Sequence, residues 1–209
     1  MTLFRLCIAI TCILATCAVL LGALWAQFGA GEFPCPLCII QRMAMMLAAL
    51  GPAWLLCRAA RGPVDAHDFA QCYACSILAA LVGGTVSGRQ VLLHIAPGDP
   101  GYGAPMFGMH LYTWAFVVFI VVVAVSGVQM LFLPKRSEAH RVGVGARSSV
   151  LLLGVIIAVN AVAVFVESGF HWYLPDNPTS NRLIDELRGK SGGEGGVESP
   201  EAMNGALKP

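Results

Sequence analysis

The chain has 209 residues, of which 57% are hydrophobic and 12% charged, with a formal net charge of +1. Soluble domains carry about 25% charged residues, so an ordinary soluble fold is excluded and an all-α integral membrane protein is expected. The near-zero net charge gives no basis for a polyanionic partner, and no nucleic-acid binding is expected.

Five apolar stretches are long enough to cross about 30 Å of hydrocarbon, which takes roughly 17–25 helical residues. They lie at about 3–25, 37–56, 72–94, 110–132 and 150–166. The organisation expected is a transmembrane helical bundle over residues 1–168 and an external tail over 169–209. In the first stretch the apolar core is too long for a signal peptide. Trp25 and Phe28 occupy the window where a small-residue cleavage site would fall, so an uncleaved helix is expected. Cys7, Cys12 and Cys17 recur every fifth residue, turning about 140° at each step, and are expected to be buried filler with no common face.

The second stretch opens with Phe33-Pro34-Cys35-Pro36-Leu37-Cys38-Ile39-Ile40-Gln41-Arg42. At about 100° per residue, Cys38 lies about 60° from Cys35, and Arg42 about 20° from Cys35 on the same face. Pro34 and Pro36 suit a helix start, where a missing N–H costs nothing. The positive end of the helix dipole favours thiolate over thiol, and a low-pKa thiolate is a good leaving group and nucleophile at neutral pH. The pair is therefore read as a redox-exchange site with a cation beneath it for a ligand that carries negative charge. The other readings of these residues are a structural disulfide or small packing cysteines, and an arginine that snorkels to the headgroups.

The third stretch opens with Cys72-Tyr73-Ala74-Cys75, near Cys57. No fourth ligand beyond His67 is evident, so these are read as packing residues and no metal site is expected. Gly84-Thr85-Val86-Ser87-Gly88 is a small-x-x-x-small pattern that permits close helix approach within the bundle. The fifth stretch is the shortest and carries Asn160; Glu167 at its end is a candidate partner for Arg42 or Arg89. Beyond it, 169–178 holds aromatics and prolines suited to a membrane surface, 181–188 a short amphipathic helix, and the glycine-rich remainder after 189 reads as disordered.

Arg5, Arg58, Arg61, Lys135, Arg136, Arg141 and Arg147 fall on one side of five alternating spans, and the loops around 27–34 and 95–109 hold no lysine or arginine. By the positive-inside rule the amino terminus is cytoplasmic, the carboxyl terminus is outside, and Cys35 and Cys38 face the outer side. Trp25, Tyr112 and Trp114 are then expected in an outer aromatic belt, with Trp54 near the inner face.

The run from Cys35 to Arg42 resembles the signature of the DsbB family of quinone-linked disulfide-bond formation proteins, and so does Gly88-Arg89-Gln90-Val91-Leu92-Leu93-His94. The resemblance covers the first four helices. It implies a four-helix bundle, to which this chain adds a fifth span, in a bacterial inner membrane, with ubiquinone or menaquinone bound at the outer end. It further implies that Cys38 delivers electrons to the quinone and that Cys35 is the sulfur exposed to exchange with a DsbA-like thioredoxin-fold partner. Arg42, Arg89 and His94 are then the candidates for quinone contact. Family members typically carry a second cysteine pair in the second outer loop; here the loop at 96–105 has no cysteine. The function expected is a thiol:quinone oxidoreductase linking a periplasmic partner to the membrane quinone pool. Its alternatives are a quinol-driven disulfide reductase and a non-catalytic membrane module that binds a partner or metal. The middle of each span lacks the Asp, Glu, Lys or Arg that a transporter usually displays.

Overall fold

A computed structural model describes residues 2–134, 143–170 and 181–188. Lys135, Arg136 and Arg141 of the orientation argument, the 171–178 part of the surface segment and the tail after 189 lie outside the described residues. The helices are α1 Thr2–Phe28, α2 Pro36–Arg61, α3 Ala66–Leu93, α4 Leu111–Leu131, α5 Val144–Ser168 and the short α6 Arg182–Leu187. Among the described residues, α1 to α5 are each long and apolar enough to cross a membrane. The chain is an all-α, multi-pass membrane protein.

The helix ends are set by caps rather than by hydropathy, so several helices outrun the apolar stretches that announced them. α2 continues past Leu56 to Arg61, with Arg58 and Arg61 in the last turn, where the dipole favours cations. α3 starts at Ala66 rather than Cys72 because Asp65 and Asp68 form a reciprocal capping box with bonds of 3.0 and 3.1 Å. Arg58 then pairs with Asp68 at 3.5 Å across the turn. α5 likewise starts at Val144, well before residue 150.

α2 is the central helix. α3 packs along one side of it and carries α4, which also touches α2, while α1 and α5 pack on α2 and on each other. The α2–α3 seam explains one otherwise awkward feature. Pro52 lies inside α2 and cannot donate to the carbonyl of Ala48. Ser76 of α3 donates its hydroxyl to that carbonyl at 2.8 Å, restoring the lost bond in a setting where water cannot. Gly51 beside it has no room for a Cβ, which would meet the Cys72 backbone. Cys72 is thus a buried packing residue, whereas Cys75 is exposed.

The close approach of α3 to α4 centres on Gly83, not on Gly84 and Gly88. A Cβ on Gly83 would collide with the Phe119 ring, whereas Gly84 and Gly88 make ordinary contacts with α4. The buried face of α3 runs through Phe69, Tyr73, Ser76, Ala80, Gly83, Ser87 and Gln90, a seven-residue repeat of alternating three and four. Of the three cysteines of α1, only Cys17 is buried; Cys7 is exposed and Cys12 half-buried, as their rotation around the helix requires.

α1 and α4 do not pack against each other, which leaves a cleft between them. At the end opposite the cysteine pair, Arg5 bridges it. Its Nη1 donates to the Gln129 carbonyl at 3.3 Å and its guanidinium lies 5.6 Å from the centre of the Phe69 ring. Arg5 is only 4% exposed, so it is a buried tie between helices rather than a surface charge.

Candidate functional site

Cys35 is the N-cap of α2, in extended conformation, with Pro36 following as the first helical residue. Its sulfur takes the place of a capping oxygen and accepts the Cys38 backbone N–H at 3.3 Å. The Cys38 sulfur lies 2.8 Å away. From α3, Gln90 donates through Nε2 to Cys35 at 3.3 Å and to Cys38 at 3.6 Å. The amide is held that way round because its Oε1 accepts from Gln41 Nε2 at 2.7 Å. These donors lower the Cys35 thiol to about 6: the Cys38 thiol contributes most, and the backbone N–H of Cys38 and the Gln90 amide add to it against the opposing effect of burial.

Cys38 and Arg42 share the wall of a cavity of about 100 Å³ set in the α1–α4 cleft. Its other walls are largely apolar, with Leu20, Met45 and Ala115 among them, and Tyr112 and Trp114 contribute aromatic faces. Arg42 is fixed from α1: Nη1 donates to Gln27 Oε1 at 2.7 Å and Nη2 to the Ala23 carbonyl at 3.0 Å. Gln27 in turn donates to Glu167 of α5 at 3.1 Å. Glu167 therefore reaches Arg42 through Gln27, not by direct pairing.

The roof is the loop between α3 and α4 laid over the loop between α1 and α2. Tyr102 donates its hydroxyl to the Phe33 carbonyl at 2.7 Å, and the Ala104 N–H donates to Glu32 at 3.1 Å. Burial first, and then the nearby Cys35 charge, push the Tyr102 phenol up, so it stays a donor. Under this roof Cys35 is 6% exposed while Cys38 is half-buried. The expected order of exposure is thus reversed, because the loop contacts close over the N-cap while Cys38 faces the cavity.

Cys35, Cys38 and Arg42 are brought together as their helical spacing required. His94 and Arg89 are not. His94 lies outside the cavity wall, 3.1 Å from Asp99 and with its ring centre 5.6 Å from that of Tyr112. Tyr112 itself is buried and stacks on His110. Arg89 is exposed, on the side of α3 turned away from Gln90. The residues that reasoning from the sequence missed are Gln90, Gln41 and Gln27. The seven-residue face of α3 carried the signal for Gln90, since a glutamine three residues beyond Ser87 must point inward and its neighbour Arg89 must not.

The family described as Disulfide bond formation protein DsbB matches residues 5–104. Over these residues the chain is similar to the DsbB family. Among curated relatives it is similar to Disulfide bond formation protein B of Chromobacterium violaceum, 42% identical over 87 residues, which is 41% of this chain and 49% of that protein. It is 35% identical over 116 residues to the protein of the same name from Xanthomonas euvesicatoria pv. vesicatoria, covering 54% of this chain and 66% of the relative. With that of Burkholderia pseudomallei it shares 26% identity over 144 residues, 54% of this chain and 82% of the relative. The chain thus spans about half the length of the Chromobacterium protein that it matches. No solved structure matches the chain. The DsbB match contains the whole thiol site of α2 and α3 and ends in the roof loop, so α4 and α5 lie beyond it.

Proposed function

We propose that this protein is a DsbB-like thiol:quinone oxidoreductase of the bacterial inner membrane that supports periplasmic disulfide-bond formation. The observation that carries this reading is one apolar cavity walled by both Cys38 and Arg42, with the Cys35 sulfur 2.8 Å from that of Cys38. The residues present fit a quinone. Aromatic faces and aliphatic walls suit its ring, and the cleft between α1 and α4 gives a tail a way into hydrocarbon. A bound quinone supplies an acceptor for two electrons and two protons.

The chain's own residues perform the thiol chemistry. A thiolate of a reduced, DsbA-like thioredoxin-fold partner attacks the Cys35 sulfur of the oxidised pair. A partner–Cys35 bond forms, the Cys35–Cys38 bond breaks, and Cys38 leaves as thiolate. The partner's second thiol gives its proton to the Cys38 thiolate and attacks its own mixed-disulfide sulfur. The partner departs oxidised, Cys35 departs as a thiolate, and the pair now holds two electrons. The Cys38 N–H, the Cys38 thiol and Gln90 stabilise that leaving group. Arg42 places a fixed positive charge at the cavity wall, where it favours anionic charge that develops there. The Tyr102 roof has to lift for the partner to reach Cys35.

In this reading the amino terminus is cytoplasmic, the carboxyl terminus periplasmic, and the single pair serves without a second pair in the roof loop. The test is quinone reduction by the purified protein with a reduced thioredoxin-fold partner as donor, alongside Cys35→Ser and Cys38→Ser. Turnover in the parent and in neither variant is expected. Folded parent protein that reduces no quinone with either the partner or a small dithiol would overturn the proposal.

A further inference from the structure

α5 lies beyond the DsbB match, yet it sends one carboxylate into the site. Glu167 is 1% exposed, and among the described residues its Oε1 has no hydrogen-bond partner. A buried carboxyl oxygen left unsatisfied costs free energy, so packing alone does not account for a glutamate here. Its other oxygen, Oε2, accepts from Gln27 Nε2 at 3.1 Å. That bond settles the orientation of the Gln27 amide. With Nε2 engaged by Glu167, Oε1 is presented to Arg42, which can only donate. Reversing the amide would set Nε2 against the guanidinium and Oε1 against the carboxylate, losing both bonds at once. The second Arg42 anchor, the Ala23 carbonyl, lies one helical turn from Gln27 on the same face of α1. Arg42 is therefore drawn toward α1 by a fork whose side-chain arm ends on α5.

We propose that Glu167 is a positioning residue of the thiol site: through Gln27 it fixes where the Arg42 guanidinium stands beside Cys38. This rests on the function proposed above only for the use made of Arg42. The placement of Arg42 is tested without it. It also assigns a role to the fifth helix, which supplies the far end of a chain of three side chains from three helices.

The test is chemical modification of arginine by phenylglyoxal in quinone-free, detergent-solubilised protein, read residue by residue by mass spectrometry. Arg5 serves as the internal control, since it is buried at the opposite end of the bundle and touches none of these residues. Glu167→Leu is expected to raise Arg42 modification by roughly tenfold, the factor that matches loss of one charge-assisted hydrogen bond, and to leave Arg5 unchanged. Glu167→Gln retains a carbonyl acceptor for Gln27 and is expected to restore the parent pattern. Gln27→Met should match Glu167→Leu, and the double variant should add nothing further, because both act through one chain. Unchanged Arg42 reactivity in Glu167→Leu would overturn the proposal. So would a joint rise at Arg42 and Arg5, which would mean that Glu167 merely holds α5 onto the bundle. A protein in which Arg42 responds as expected but no quinone is reduced would leave the positioning chain standing and remove only the oxidoreductase reading.

Discussion

Gln90 of α3 donates to the sulfur of Cys35 at 3.3 Å while Gln41 of α2 holds its carbonyl at 2.7 Å. Because Gln41 fixes the amide, the bond is preorganised toward the thiolate and is lost in Gln90→Leu. The surrounding donors hold the Cys35 thiol well below its ordinary value, and its alkylation midpoint is expected to be about one pH unit higher in this variant than in the parent. Alkylation rate against pH, read at Cys35 in reduced protein, checks it.

The same thiolate ties stability to pH. The folded state lowers Cys35 from an ordinary 9.0 to about 6. Its contribution is complete above about pH 9 and is lost as pH falls through 6. Reduced parent protein should therefore lose thermal stability between pH 8 and pH 5 more steeply than Cys35→Ser. Thermal unfolding in detergent at both pH values, with reductant present, measures the difference.

Tyr102 is the main latch of the roof. Tyr102→Phe removes one hydrogen bond, worth about 1 kcal/mol, and leaves the ring in place. Cys35 alkylation well above its midpoint should accelerate by about fivefold, while overall stability changes little. Rates measured at pH 8 decide it; an unchanged rate would mean that the roof is held by other contacts.

Gly83 and Phe119 leave no space between α3 and α4. Gly83→Ala is expected to cost about 1–3 kcal/mol by overpacking, read as a lower unfolding midpoint. Gly84→Ala, one residue away, should be nearly neutral.

Ser76→Ala would strand the Ala48 carbonyl that Pro52 leaves without a donor. A cost of about 1–3 kcal/mol is expected. Pro52→Ala in the same protein should recover most of it, because the restored backbone N–H replaces the serine. Unfolding midpoints of the two single variants and the double variant form the cycle that tests this.

What could be read from the sequence was what one helix contains. Cys35, Cys38 and Arg42 lie within two turns of α2, so about 100° per residue was enough to set them together. Hydropathy likewise revealed five spans, because burial in lipid is a property of each segment. It misplaced their ends, since Asp65 and Asp68 start α3 through side-chain bonds that hydropathy does not register. Gln27 was beyond reach for a different reason: it meets Arg42 only through the packing of α1 on α2, which no local spacing encodes, so Glu167 was read as a direct partner of Arg42 or Arg89 rather than as one that acts through Gln27. Gln90 lay between these cases. Its place in the repeat of α3 was legible, but charge drew the choice to Arg89 and His94 instead.

Cys35 is the cap of α2 and, in the function proposed here, also one half of the exchanging pair. Oxidation replaces a charged acceptor at the first turn with a neutral sulfur, so each cycle weakens the N-terminus of the central helix and each reduction rebuilds it. Helix termination thereby becomes part of the reduction potential. By favouring the reduced form, the cap moves the couple toward the oxidising end of the dithiol scale, and fraying of that one turn would move it back.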